Sequence, residues 1–582
     1  MAAREGLTRP ILVAAVLVAA CLAVYARSFQ VPFLFDDLTS IPENPRIRSL
    51  WPLSRAMTAP PYTTIAGRPL VCLSFAVNYA LGGLNVTGYH VVNLALHVAC
   101  VLMLWWLLRL TLASPTVGET LGRHAEGLAA AIALLWAVHP LATEAVVYVV
   151  QRTELLASLF YLLTLLLFAL STKSARPVAL LAGSVAACAL GALSKEIVVS
   201  APLAVWLYDA TFVSGSFGAA LGKRKAYYAA MAATWLLVAA TLFREGGTIG
   251  GVGLDLELGV TPWDYLLTQS RAILHYLRLA FWPHPLRLYY DWPPLRSVGQ
   301  AWPYLLVIVP LAMAAAWAAL RRYPAGFAAA LFFMVLAPSS SVVPVPTELV
   351  GERRMYLPLA AILALTTCAA LVLVRRAGWN GRPALPALVA GVVAAVLAVT
   401  AAARVRDYRT EESIWRDTVA KSPRSALVRN NLGRALAAQG RTDEAIAEYR
   451  EGLRIDPRHA ATRSKLGNAL AEEGRFEEAA AEYAAALDVD PRDHRTHNNY
   501  ARVLLRLGRV EAGVRELEAA ARLRPDYGLA RYNLASMLVR LGRAPEAIPH
   551  LEAVAALPDE DQALRARAAR DLEALRRASP AR

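Results

Sequence analysis

Apolar runs long enough to cross a bilayer fill the first four hundred residues and then stop. A bilayer core needs about 17–25 apolar residues per helix. On that criterion about eleven spans are expected: 10–27, 89–109, 127–143, 154–171, 177–193, 197–212, 227–243, 301–320, 325–343, 354–374 and 384–403. Past Arg404 the pattern becomes charged, rich in Arg, Glu and Ala. A compositional shift of this kind marks a domain boundary. The first run, Ile11 to Ala26, also carries signal-peptide features, with Val24-Tyr25-Ala26 as a cleavage site and Val18-Ala19-Ala20-Cys21 resembling a lipobox. The many later spans and the charge parity favour an uncleaved first span.

Charge orients the spans, because Lys and Arg concentrate in cytoplasmic loops. Arg4, Arg9, Arg109, Arg123, Lys173, Arg176, Lys223, Arg224, Lys225, Arg321, Arg322, Arg375, Arg376 and Arg382 share one side if eleven spans are right. That side is the cytoplasm. Counting Trp263–Trp282 as a span would put Arg321 and Arg375 outside, and it carries Arg271, His275 and Arg278. It therefore reads as an interfacial or re-entrant helix. A multi-pass protein of the inner or plasma membrane follows, with a cytoplasmic N-terminus. Loops 28–88, 144–153, 194–196, 244–300 and 344–353 share the outer face with the C-terminal region.

The charged region repeats every 34 residues. Pro423, Pro457, Pro491 and Pro525 keep that spacing, as do Gly440, Gly474, Gly508 and Gly542. Leu432-Gly433 and Leu466-Gly467 are in phase, and so are Ala445, Ala479 and Ala547. This is the tetratricopeptide pattern of paired helices. Repeats are expected over 426–459, 460–493, 494–527 and 528–561, a connecting helix or half repeat over 405–425, and a capping helix and tail over 562–582. Asn431, Lys465, Asn499 and Asn533 hold the sixth repeat position. Stacked, they form a ladder fit to bind an extended polypeptide backbone, or else to bond neighbouring helices.

The fold class is thus all-α: a polytopic helical bundle over 1–404 followed by an α-solenoid. The formal net charge of +15 would suggest nucleic acid in a soluble protein, but membrane topology accounts for it. No nucleic-acid partner is expected. Cys21, Cys72, Cys100, Cys188 and Cys368 have no metal-ligand spacing and read as small core residues.

Chemistry gathers at the outer junctions. Asp36-Asp37 follows the first span within Phe33–Ile41, and adjacent carboxylates repel unless a cation compensates. The alternative is a helix cap. Next come Gly67-Arg68-Pro69, His90, Asn93 and His97, then His139-Pro140 with Thr143-Glu144-Ala145, Gln151-Arg152 and Glu154. Ser194-Lys195-Glu196, Tyr290-Asp291-Trp292 and Glu352-Arg353-Arg354-Met355-Tyr356-Leu357-Pro358 complete the set. The histidines suit core packing or a helix terminus as well as metal ligation.

In order along the chain, the acidic pair, the HP…TEAV…R segment, the Asp-Trp element, the ER…YLP element and the repeats resemble the transmembrane and tetratricopeptide-repeat protein O-mannosyltransferases. Those enzymes have the GT-C fold and use polyprenyl-phosphate sugars. The resemblance covers nearly the whole chain. It implies transfer of mannose or another hexose, with inversion, to a hydroxyl, foremost Ser or Thr of proteins held by the repeats. It selects Asp36 as base, with Asp37 as an orienting or metal-binding group. Glu144 would orient the base or the acceptor. The leaving phosphate needs cations, and Arg152, Lys195, Arg353 and Arg354 are the candidates, the last two also reading as interfacial anchors. A divalent metal is left open. The array and the 244–262 loop are short for the animal enzymes, so sugar and acceptor do not transfer with the resemblance. A lipid or glycan acceptor, and a non-catalytic scaffold that binds proteins through its repeats, are the competing functions.

Overall fold

A computed structural model describes residues 2–60, 63–244, 260–340, 348–378, 384–557 and 562–578. Arg382, stretch 245–259 of the long second loop and stretch 344–347 lie outside the described residues. Every regular element among the described residues is helical. The chain divides into two compact units, Met1–Ile414 and Trp415–Arg582.

In the first unit a helix stands at each of the eleven expected spans. Six are long and apolar enough to cross a membrane: Arg9–Gln30, Val86–Leu112, Val149–Ser171, Val298–Leu320, Pro358–Arg376 and Pro386–Asp407. Two bent pairs, Ala125–Ala137 with Pro140–Val147 and Glu196–Phe212 with Phe217–Lys223, bring the number to eight if each is one span. Pro177–Ala192 and Pro324–Ser339 are apolar but shorter. So is Pro69–Gly82, which lies inside the segment read as loop 28–88. Pro at the first turn sets its start, where the missing N–H costs nothing.

Helix Pro262–Phe281 is not among the candidate spans, in keeping with its charges. Thr261 and Asp264 form a capping box at its start. Its inward face fastens the segments around Ser339 and Leu349–Gly351. Tyr265 donates to Ser339 O (2.7 Å), Gln269 to Leu349 O (3.0 Å), and the Tyr276 hydroxyl accepts from Gly351 N (3.0 Å).

The buried core explains the histidines. His97 lies between Tyr356 Oη (2.7 Å) and Ala137 O (3.1 Å), and Trp136 donates to Tyr356 O (2.7 Å). His90 meets Val31 O at 2.8 Å. His139 caps the turn Pro140–Ala142 by accepting from Leu141 N (3.2 Å). All three are packed within the bundle. The free cysteines Cys21, Cys72, Cys100 and Cys188 are buried there as well.

In the second unit four helix pairs follow one another, Ala426–Ala437 with Thr442–Ile455 through Gly528–Arg540 with Ala544–Ala556, then Gln562–Ala578. Helices of a pair meet where side chains are small. A Cβ on Gly433 would stand 2.5 Å from the Tyr449 ring, and one on Gly467 2.8 Å from that of Tyr483. Gly440 turns the chain between paired helices at φ +74°, a conformation costly for other residues. A charge ladder runs in phase: Arg429–Glu448 (2.8 Å), Arg463–Glu482 (2.8 Å) and His497–Glu516 (2.5 Å).

Candidate active site

The acidic pair begins a five-residue helix, Asp36–Ser40, entered through Phe35 at φ 41°. That positive φ is unusual for a non-glycine residue and turns the chain sharply. The two carboxylates then part company. Asp37 is 1% exposed and accepts from Leu34 N (3.0 Å) and Val150 N (2.7 Å). Burial pushes its carboxyl up to about 8, against the pull of the N–H groups of Leu34, Val150 and Val149. Asp36 is half-buried, and its backbone N–H donates to the Tyr148 hydroxyl at 2.8 Å. Asp37 thus pins the loop to the segment after helix Thr143–Val147 and sets Asp36 beside it.

Tyr148 lies in the field of Asp36, Asp37 and Arg353. Arg353 therefore joins the acidic pair at one locale, through Glu144. Its guanidinium meets Glu144 at 2.8 Å, and its backbone N–H meets the other oxygen of the same carboxylate at 3.0 Å. Glu348 grips the far side of the guanidinium. The two carboxylates hold Arg353 charged, well above its ordinary range despite burial. Glu352 accepts from Tyr290 Oη (2.6 Å) and Arg287 N (2.5 Å), tying the Asp-Trp element to the ER…YLP element.

The remaining cations are engaged elsewhere. Arg152 is wholly buried, and each of its nitrogens donates: Nε to Asn93 (2.8 Å), one terminal nitrogen to Asn78 (2.6 Å), the other to Tyr89 O (3.0 Å). It also stacks over Phe75 at 4.5 Å. Arg152 thus clamps helices Pro69–Gly82, Val86–Leu112 and Arg152–Ser171, with all three guanidinium nitrogens donating within the protein. Lys195 is buried against Glu154 in an ion pair. Burial lowers its pKa, with Glu154 and Glu196 opposing. Arg354 is 8% exposed and donates to Tyr265 Oη (3.0 Å) and Glu348 O (2.6 Å).

Sequence reading missed Tyr148, although it stands one turn after Glu144 in a segment already singled out. It also missed Glu348, whose only signal is an acid five residues before Arg353. Among the described residues no group of three or more His, Cys, Asp or Glu is placed to hold a metal ion. Asp37 has given both oxygens to the backbone.

In the repeats, Asn499 donates to Asn468 (3.0 Å) and Asn533 to Asn498 (2.8 Å), so both bond to the preceding repeat. Asn431 is 5% exposed, whereas Lys465 is exposed. Two of the four expected amide positions are thus spent on inter-repeat bonds.

Fold and site together define a multi-pass helical membrane protein carrying a tetratricopeptide-repeat solenoid. The family described as "TPR repeat" matches residues 433–474, and that described as "Tetratricopeptide repeat" matches 464–516 and 501–562. The chain is homologous to the transmembrane and tetratricopeptide-repeat proteins named protein O-mannosyl-transferases, as its motifs implied. It is 28% identical to protein O-mannosyl-transferase TMTC4 of Mus musculus, over 74% of this chain and 64% of that protein. It is 27% identical to protein O-mannosyl-transferase Tmtc3 of Drosophila melanogaster, over 78% of this chain and 56% of that protein. The chain thus spans less than two thirds of the length of these curated relatives. A solved structure, "Crystal structure of YrrB: a TPR protein with an unusual peptide-binding site", aligns at 19% identity and a TM-score of 0.25, over 28% of this chain and 82% of that one.

Proposed function

We propose that this protein is an integral-membrane glycosyltransferase. It moves mannose or another hexose from a polyprenyl-phosphate donor to a hydroxyl, on Ser or Thr of proteins held by the repeats. The observation that carries the reading is the split of the acidic pair: Asp37 buried and clamped, Asp36 half-buried beside Tyr148. A scaffold has no use for that arrangement. Names of the relatives support the same chemistry.

Asp36 takes the acceptor hydroxyl's proton as the oxygen attacks the anomeric carbon. The new C–O bond forms on the face opposite the phosphate. The sugar–phosphate bond breaks, its electron pair leaves with the phosphate, and the configuration inverts. Asp37 positions Asp36 and does not itself meet substrate. Glu144 and Glu348 hold Arg353 charged at the edge of this locale, where its field stabilises developing negative charge. Donor and site face the outside of the inner or plasma membrane, together with the repeats. A divalent ion would find Asp36 as its nearest carboxylate here, and chelation of an active preparation tests that.

The experiment supplies the purified protein with polyprenyl-phosphate mannose and a protein extract, and measures transferred sugar. Asp36→Asn should lower transfer by at least about 100-fold, the scale of a general base. Full transfer by that variant would overturn the site. Sugar found on lipid or glycan and on no protein would replace the acceptor.

A further inference from the structure

Within the repeats, position along the array decides which polar groups are satisfied. The first helices of the first three repeats, Ala426–Ala437, Ala460–Glu472 and His494–Arg506, pack on one another more closely than the second helices do. They therefore line the inner side of the curve, the face with which such solenoids bind. From the second repeat onward, polar groups on these helices pair across the repeat boundary. The Ser464 and Thr496 hydroxyls meet at 2.6 Å, Asn499 donates to Asn468 (3.0 Å) and Asn533 to Asn498 (2.8 Å).

The boundary between the first and second repeats is different. Arg434 and Lys465 hold the two positions that Asn468 and Asn499 hold one period later. An amide pair that can bond is replaced there by two cations that repel. Asn430 and Asn431, the counterparts of Ser464 and Lys465, lie one turn before Arg434 on the same helix face. They are 9% and 5% exposed, and Asn430 Oδ1 and Asn431 Nδ2 are buried without a hydrogen-bond partner. Buried polar atoms without partners are costly and point to a missing ligand.

Arg495 adds a third cation. It adjoins Thr496, and Lys465 adjoins Ser464, so the contact between the two hydroxyls brings these cations within each other's field. Both side chains are exposed, and neither has an ion pair or hydrogen bond among the described residues. Neighbouring groups still withdraw water from the Lys465 ammonium. That desolvation, then the fields of Arg434 and Arg495, lower its pKa, with Asp493 opposing. Asp493 is itself committed to capping helix His494–Arg506, where its carboxylate accepts from Arg495 N (3.0 Å).

We propose that Asn430, Asn431, Arg434, Lys465 and Arg495 form a carboxylate-binding subsite that seats an acidic stretch of polypeptide on the inner face of the first three repeats. The cations and the Asn431 amide supply donors to carboxylates. Asn430 Oδ1 needs a donor in return, which a peptide N–H supplies and a bare anion does not. Cations on three successive repeats exceed what one terminal carboxylate neutralises, and so select Asp or Glu side chains. The inference rests on the reading that the repeats hold a polypeptide and adds the kind of sequence they select. It does not depend on the transfer chemistry.

The test measures peptide binding to the full-length protein in detergent. The probes are a labelled Ser- and Thr-containing peptide with several Glu residues and an amidated end, the same peptide with Gln for Glu, and that Gln peptide with a free carboxyl end. The Glu peptide should bind at least about tenfold more tightly than either Gln peptide, and the preference should shrink as salt is raised. Lys465→Gln with Arg495→Gln should weaken the Glu peptide by more than about tenfold, on the scale of lost charge-assisted bonds, and leave the Gln peptides unchanged. Lys465→Arg with Arg495→Lys should keep most of the preference. Lys465→Asn, which removes the repulsion from Arg434, should weaken the Glu peptide without lowering the melting temperature, and this separates lost binding from misfolding. Equal binding of the Glu and Gln peptides would overturn the subsite, as would an unaltered preference in the double glutamine variant. Tight binding of the free-ended Gln peptide would give the cations to a chain terminus and overturn the acidic-stretch assignment. Preference for the Glu peptide with no sugar transfer by any form would sink the transferase reading and leave this subsite standing. Transfer to proteins without any such preference would do the reverse.

Discussion

At the scale of single residues, burial decides role. Asp36 and Asp37 are identical and adjacent, yet one is clamped to backbone donors and the other is left beside Tyr148. The same reasoning reassigns Lys195. Buried ion pairs are costly to break and cheap to replace whole. Lys195→Ala leaves Glu154 buried alone and should cost about 3–5 kcal/mol of stability. Lys195→Met with Glu154→Gln should recover most of it, and should still transfer sugar. A thermal melt and a transfer assay on the two variants check this; loss of transfer by a well-folded double variant would return Lys195 to the donor site.

At the scale of elements, the repeats show how a period becomes a contact. Gly433 is small because the Tyr449 ring leaves no room for a Cβ. Gly433→Val should destabilise the repeat unit by about 1–3 kcal/mol, the usual cost of overpacking. A circular-dichroism melt reads it. The charge ladder gives a pH dependence at the third repeat, where His497 replaces arginine. Glu516 holds the imidazole's pKa above 6.5, burial opposing. A raised pKa means the folded state binds the proton more tightly, so this stabilisation is full below pH 6.5 and fades as pH rises through the folded value. The melting temperature should fall across that window, and His497→Arg should remove the part due to this pair. An equal fall in that variant would assign the trend to other groups. Helix Pro262–Phe281 carries the complementary lesson. Its charges kept it out of the span count, and only packing showed that its inner face holds Ser339, Leu349 and Gly351.

At the scale of the whole molecule, the proposed transfer requires the repeats and Asp36 to share a side of the membrane. The parity of the eleven spans expected from sequence predicts that they do. A single cysteine placed in an exposed part of the repeats should react with an impermeant reagent in intact cells. Protection there, with labelling only after lysis, would reverse the orientation and separate the array from the site.

The chain's own pattern determined the two-part, all-helical plan, because bilayer length and a 34-residue period are properties of local sequence. It also marked the junctions where chemistry gathers, since charged residues beside apolar runs stand out without knowledge of contacts. What it could not determine is which charges are spent. Arg152 reads as an available cation beside a span, and the fold buries it among Asn78, Asn93 and Tyr89 O from two other helices. Tyr148 and Glu348 read as ordinary residues, and the fold sets them on Asp36 and Arg353. Partners fixed by tertiary structure lie far apart in the chain, and burial and pairing, which set the state of a charge, follow from those partners alone.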